Sequence, residues 1–150
     1  MQPKKIERIV VGLDGSDHSR GALDWAIGMA RGMDAEVVAV HGIDIPVYFA
    51  APYGVPPQFD PEWRAAVQRD FEDTWCAPLK AAGIRYRTVM DDARPATLLA
   101  SVAESEGADV IVVARRGRGG VAELVLGSVS HELALQSRVP VLLIPPAKHS

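Results

Sequence analysis

The segment VVARRGRGGVAELVLGSVS, Val112 to Ser130, gathers glycines, arginines and serines directly after an apolar run. These residue types hold phosphate. Glycine lets the backbone approach an anion closely and turn its amides toward it. Arginine offers a charged fork to phosphate oxygens, and a serine hydroxyl donates. Gly117 and Gly127 are separated by nine residues, and Ser128 follows the second. Gly127 and Ser128 fall where a helix is predicted to start, and a helix N-terminus favours anions. Arg118 reads as a phosphate contact, Arg115 and Arg116 as a solvated loop, and Ser128 and Ser130 as hydroxyl donors. The segment has no lysine, so it is not a Walker loop, and its glycines do not follow the first strand as a dinucleotide fingerprint requires.

Strands and helices must position these groups. Ile6–Leu13 and Ala108–Ala114 are near-continuous apolar runs rich in β-branched residues, the pattern of parallel strands covered on both faces. Ala35–Gly42, Ile84–Met90 and Val139–Pro145 are three further strand candidates, of which Ile84–Met90 alternates and reads as an edge. Between them lie helical patterns. Ala22, Leu23, Ala26, Ile27 and Ala30 form one apolar stripe within Ser16–Arg31. Further helices are predicted over Pro61–Ala82, Pro95–Glu106 and Ser128–Gln136. Gly32, Gly83 and Gly107 follow the first three, each placed to supply a left-handed turn into the next strand. Alternating strands and helices predict a mostly parallel sheet with right-handed crossovers and helices on both faces. Ligands of such sheets bind at the carboxyl ends of the strands. LDGSDHS after the first strand, HGIDIP after the second and RRGRGG after the fourth converge there. Ile43–Asp60 breaks the rhythm with four prolines, two tyrosines and two phenylalanines, and reads as a long loop packed as a flap.

Composition narrows the function classes. The chain has 150 residues, 48% of them hydrophobic, which suits a single domain over residues 1–150. A net charge of −3 argues against a general nucleic-acid binder. The single cysteine, Cys76, excludes a disulfide framework within the chain and reads as a small structural residue in a helix. The apolar run near the N-terminus is too short to span a membrane, so the expectation is a cytoplasmic protein without membrane partner. His18, His41, His131 and His149 sit in separate elements and suggest no metal site, though His41 falls near the proposed ligand. Trp25, Trp63 and Trp75 read as packing residues on helices, and the Asp91–Asp92 pair as a solvated turn.

The chain resembles the universal stress protein family across about Ile6 to Pro145. Many members of that family carry G-x-x-G-x9-G-[ST] after the fourth strand and bind ATP with it. Here the pattern reads A-x-x-G-x9-G-S, with Ala114, Gly117, Gly127 and Ser128 at its positions. The opening IVVGLDGSDHSRGALDWA and the closing SRVPVLLIPP also resemble the family. The resemblance implies a three-layer α/β/α fold, Rossmann-like and of the adenine nucleotide alpha hydrolase kind. Its five parallel strands would run in the order 3-2-1-4-5. It also implies a site for ATP, with Mg²⁺ commonly accompanying the triphosphate. Asp14 and the backbone of Gly12 and Leu13 would lie by the adenine and ribose, and Val40 would contact the base. Gly117 and Arg118 would line the phosphates, and Gly127, Ser128 and Val129 would close on them. A homodimer through Val141–Ile144 is implied as well.

The residues leave alternatives. Asp14, Ser16 or Asp17 could each cap the first helix. Alanine at position 114 costs little where φ is negative, and on the order of 1 kcal/mol where φ is positive. A nucleotide-binding stress-response protein is the reading the motif supports. An interaction module without nucleotide is a second, motivated by Ala114. A slow ATPase or nucleotidyl-transfer enzyme is a third, for which Asp14 is the one candidate base and no catalytic arrangement stands out.

Overall fold

The computed structural model describes residues 4–44, 60–116 and 126–147. The elements in chain order are β1 (Arg8–Gly12), α1 (Asp17–Met33), β2 (Glu36–Gly42), α2 (Pro61–Arg69), a π-helical turn (Asp70–Trp75), α3 (Ala77–Ala81), β3 (Tyr86–Asp91), α4 (Pro95–Ser105), β4 (Val110–Ala114), α5 (Ser128–Gln136) and β5 (Val141–Ile144). The five strands form one sheet in the order β3-β2-β1-β4-β5, and every pairing is parallel. β3 lies at one edge, as its alternating sequence predicts.

The sheet is buried on both faces because its central strands are apolar at every position. Ile9 and Val11 of β1, with Val110 and Val112 of β4, point into one cluster beneath α1 and α3. Val10, Ile111 and Val113 point into the other, beneath α4 and α5. Successive side chains of a strand face opposite ways, so one run feeds two cores. Each fully buried valine or isoleucine contributes about 1.5–3 kcal/mol. Ala22, Leu23, Ala26, Ile27 and Ala30 are buried along α1, the stripe that the sequence predicts.

Three local features differ from expectation. Helix α1 runs through Gly32 to Met33, and the left-handed turn falls on Asp34 (φ 54°). Gly83 and Gly107 do take positive φ, 69° and 64°. The single helix predicted over Pro61–Ala82 is three pieces. Pro78 has no N–H to give to the carbonyl four residues back. The ladder widens there, with the Cys76 amide donating to the Phe71 carbonyl at 3.0 Å. Phe71 and Cys76 are thereby buried, and burial, with the charge of Glu72, pushes the Cys76 thiol up to about 12. Such a thiol is inert, consistent with a packing role. Lastly, only Trp75 of the tryptophans packs inside; Trp25 and Trp63 are 57% and 37% exposed.

An ionic network ties the amino edge of the sheet. Arg87 of β3 donates to Glu36 of β2 and to Glu106 after α4. Arg8 of β1 meets Glu36 at 3.6 Å and donates to the Glu106 carbonyl. The Asp109 carboxylate accepts from the Glu7 and Arg8 amides at 2.7 and 3.1 Å and pairs with Lys4 at 3.0 Å.

Candidate functional site

At the carboxyl edge, β1, β2 and β4 end around a cavity of about 360 Å³. That volume lies in the range of small-ligand sites, roughly 300–1,000 Å³. β1 and β4 are neighbours whose following helices, α1 and α5, depart in opposite chain directions from the sheet's switch point, where such ligands bind.

The first wall is the β1–α1 turn. The Leu13 amide donates to the Val40 carbonyl at 2.9 Å, continuing the strand pairing past Gly12. Gly15 then takes φ 80°, which releases the chain into α1. Ser16 is the N-cap, its hydroxyl accepting from the Ser19 amide at 3.2 Å. Asp14 is not the cap. Its Oδ1 accepts from both the amide and the hydroxyl of Ser16, fixing the carboxylate where it lines the cavity. Asp17 lies in the first turn of the helix, where its charge suits the helix dipole.

The second wall is the end of β2. Val40 and His41 line the cavity. His41 Nδ1 lies 2.8 Å from the Leu13 carbonyl, which can only accept, so that nitrogen carries the proton. Trp75 packs edge-on against the His41 ring at 4.9 Å and Phe71 at 5.8 Å. The π-helical turn thus holds one side of the site. Gly42 follows, and α4 presses against it. A Cβ at Gly42 would lie 2.8 Å from the Ala93 carbonyl oxygen and 2.9 Å from Pro95 Cα. Pro95 and Leu99 of α4 complete this side.

The third wall joins β4 to α5. Ala114 pairs with Ile144 and is not at positive φ, since Asp34 is the single non-glycine residue there among the described residues. The backbone at 114 therefore needs no glycine. The Arg115 carbonyl accepts from the Gly127 amide at 2.9 Å. The buried Ser130 hydroxyl lies 2.8 Å from the Ala114 carbonyl and 3.1 Å from that of Arg115. These contacts fasten the start of the glycine loop to the first turn of α5. Gly127 is the N-cap of α5 and supplies no side-chain cap, and the first turn of the helix, Ser128 to Ser130, lines the cavity.

Of the residues named from sequence, Gly12, Leu13, Asp14, Val40, Ala114, Gly127, Ser128 and Val129 all line this one cavity. Gly117, Arg118 and most of the Ile43–Asp60 loop lie outside the described residues. Two expectations are corrected. Ser130 lines the cavity, but its hydroxyl donates to the carbonyls at the end of β4 and is not free to donate to a ligand. Arg115 and Arg116 are half-buried, not solvated, and Arg116 lines the cavity. Ser19, Gly42, Pro95 and Leu99 also line it and carry no motif signal, being placed by packing alone. Asp92 pairs with Arg64, so the Asp91–Asp92 turn is tied to α2. Among the described residues, no group of three or more His, Cys, Asp or Glu could hold a metal ion. None of their helices is long and apolar enough to cross a membrane.

Comparison with known proteins agrees with this architecture. The universal stress protein family matches residues 5–145. Universal stress protein YxiE of Bacillus subtilis is 35% identical over 93% of this chain and 99% of its own. A universal stress protein solved in complex with cAMP superposes with a TM-score of 0.66 at 26% identity, covering 94% of this chain and 98% of that one. The universal stress protein of Archaeoglobus fulgidus solved in complex with dAMP shares the fold, with a TM-score of 0.69 at 19% identity over 94% and 99% of the two chains. With the family matched from end to end of the described sheet, this chain belongs to the universal stress protein family.

Proposed function

We propose that this chain binds an adenine nucleotide, ATP with Mg²⁺, at the carboxyl edge of its sheet and acts as a regulatory stress-response protein. One observation carries the reading: a single cavity is lined by both Asp14 and the first turn of α5, whose N-cap is a glycine without a capping side chain. The carboxylate suits ribose hydroxyls or the adenine amine, all donors, and the amides of α5 suit phosphate. Gly12 and Leu13 would lie along the sugar and Val40 against the base, while Gly127, Ser128 and Val129 would enclose the phosphates with Gly117 and Arg118. The cAMP and dAMP complexes of related proteins support an adenine nucleotide as the ligand class. Mg²⁺ binds through one or two carboxylates and phosphate oxygens. Asp14 is the only carboxylate lining the cavity among the described residues, so the ion would be held mainly by phosphate.

Equilibrium dialysis with labelled ATP and Mg²⁺ tests this. Folded protein is expected to bind, and Asp14→Asn to weaken binding about tenfold, the value of a hydrogen bond to a charged group. No binding at millimolar ATP overturns the reading. The same proposal includes a homodimer joined along the outer edge of β5, in the cytoplasm.

A further inference from the structure

We propose that the outward face of α1 is a self-association surface, on which two copies of this chain pack antiparallel with Trp25 of each seated over Gly28 of the other. At about 100° per residue around a helix, Gly21, Trp25, Gly28 and Gly32 fall close to one line along α1. Leu23, Ala26 and Ala30 lie on the opposite side and are buried, so that line is the part of the helix farthest from the core. A surface helix ordinarily carries charged and polar side chains there. Trp25 is instead 57% exposed, and Met33 at the end of the helix is 42% exposed. The three glycines beside Trp25 serve no packing need among the described residues. None of them has positive φ, and a Cβ added at any of them would meet nothing within 4 Å. Glycine is the poorest helix former after proline, so the helix itself does not ask for them. They leave notches in which a bulky side chain can sit while a second helix approaches to about 8 Å.

The pattern fits a second copy of itself. The four positions are spaced four, three and four residues apart, the same from either end. A two-fold axis crossing α1 between residues 26 and 27 therefore sets Gly21 against Gly32 of the other copy and Trp25 against Gly28. Each bulky side chain meets a gap, and the contact is isologous, as a two-fold interface must be. Charge agrees with this arrangement. Asp24 and Arg31 are both exposed and lie on one flank of the line, and antiparallel packing joins like flanks. The axis brings Asp24 of one copy and Arg31 of the other to about 3 Å apart along the helix, twice over. Asp24 already takes Arg20 at 3.2 Å, and a carboxylate has acceptor sites for a second cation. One pair of helix faces covers less than the roughly 1,200 Å² of a stable complex, so the association is weak and forms above micromolar concentration.

The test is sedimentation velocity over a series from about 10 µM to about 1 mM protein. The species present at the low end is expected to double in mass toward the high end. Gly28→Leu, which fills the notch, and Trp25→Glu, which removes the side chain that enters it, should each weaken that doubling about tenfold or more. Gly28→Leu should melt no lower than wild type, since leucine favours the helix, which separates lost association from lost folding. A mixture of Gly21→Cys and Gly32→Cys proteins should cross-link on mild oxidation and neither protein alone should, the chain's own Cys76 being buried. A wild type that does not double overturns the proposal, and so does a doubling that survives both substitutions. Cross-linking of either cysteine variant with itself as readily as with the other, or none from a mixture that associates, overturns the antiparallel pairing and the proposal with it.

Discussion

At the scale of single residues, the sequence speaks through types and the structure through distances. Asp14, Gly127 and Ser128 could be picked out because carboxylates, glycines and serines at strand ends have a chemical use. Arg116 and Ser130 could not be sorted the same way. Arg115 and Arg116 are chemically alike in sequence, and only the fold decides which of the two lines the cavity. Gly42 carries a meaning of its own. It was legible only as the glycine that ends a strand, whereas its neighbours show that the start of α4 rests directly on it. An added methyl there would meet backbone, which cannot swing aside. At Gly12 it would meet Leu99 Cδ1 and Val113 Cγ1 at 3.1 Å, side-chain ends that can shift. Gly42→Ala is therefore expected to cost about 1–3 kcal/mol, the usual range for overpacking, and Gly12→Ala clearly less. Urea unfolding of the two variants measures this. Equal losses would contradict the close approach of α4 to β2.

At the scale of elements, hydrophobic patterning was enough for every strand and most helices. The apolar runs rich in β-branched residues became strands whose two faces are buried in two cores beneath the helices. The failures have local causes. Gly32 did not end α1, because a residue three places from the last buried position still makes its helical bond, and Asp34 tolerates the left-handed turn one residue beyond Met33. Pro78 broke a pattern that periodicity alone reads as continuous. Strand β5 shows what an element offers to other molecules. The carbonyls of Pro140 and Ile144 accept from β4, through the amides of Ile111 and Arg115. Alternation along the strand turns the amides and carbonyls of Val141 and Leu143 the other way, along an edge that no described strand covers. Two such edges can pair antiparallel about a two-fold axis and extend the sheet across a dimer. Sedimentation velocity at micromolar concentration is expected to show that dimer, and Leu143→Pro, which removes an outward amide and spares the β4 ladder, to shift it to monomer. A monomeric wild type would refute the proposed pairing.

At the scale of the whole molecule, the two edges of the sheet do different work. The carboxyl edge carries the cavity between Asp14 and the start of α5, while the amino edge is closed by ion pairs that join β1, β2, β3 and the end of α4. Alternation and charge count gave no hint of that network, because Arg87, Glu36 and Glu106 are far apart in the chain. The Arg87 side-chain hydrogen bond holds the Glu106 carboxyl below the ordinary glutamate range. For Asp109, burial pushes upward, but the Glu7 amide, Lys4 and the Arg8 amide together prevail and hold it low. A carboxylate depressed in the fold takes up protons more readily when the chain is unfolded, so it stabilises the fold above its ordinary pKa of about 4. That stabilisation is lost as pH falls through the lower, folded value. Thermal unfolding followed from pH 7 downward is thus expected to hold level until about pH 5 and then to decline. Glu106→Gln, which cannot titrate, should be less stable at neutral pH and lose less on acidification. A melting temperature that rises below pH 4, or a Glu106→Gln profile parallel to wild type, would show that these ion pairs do not set the acid stability of the fold.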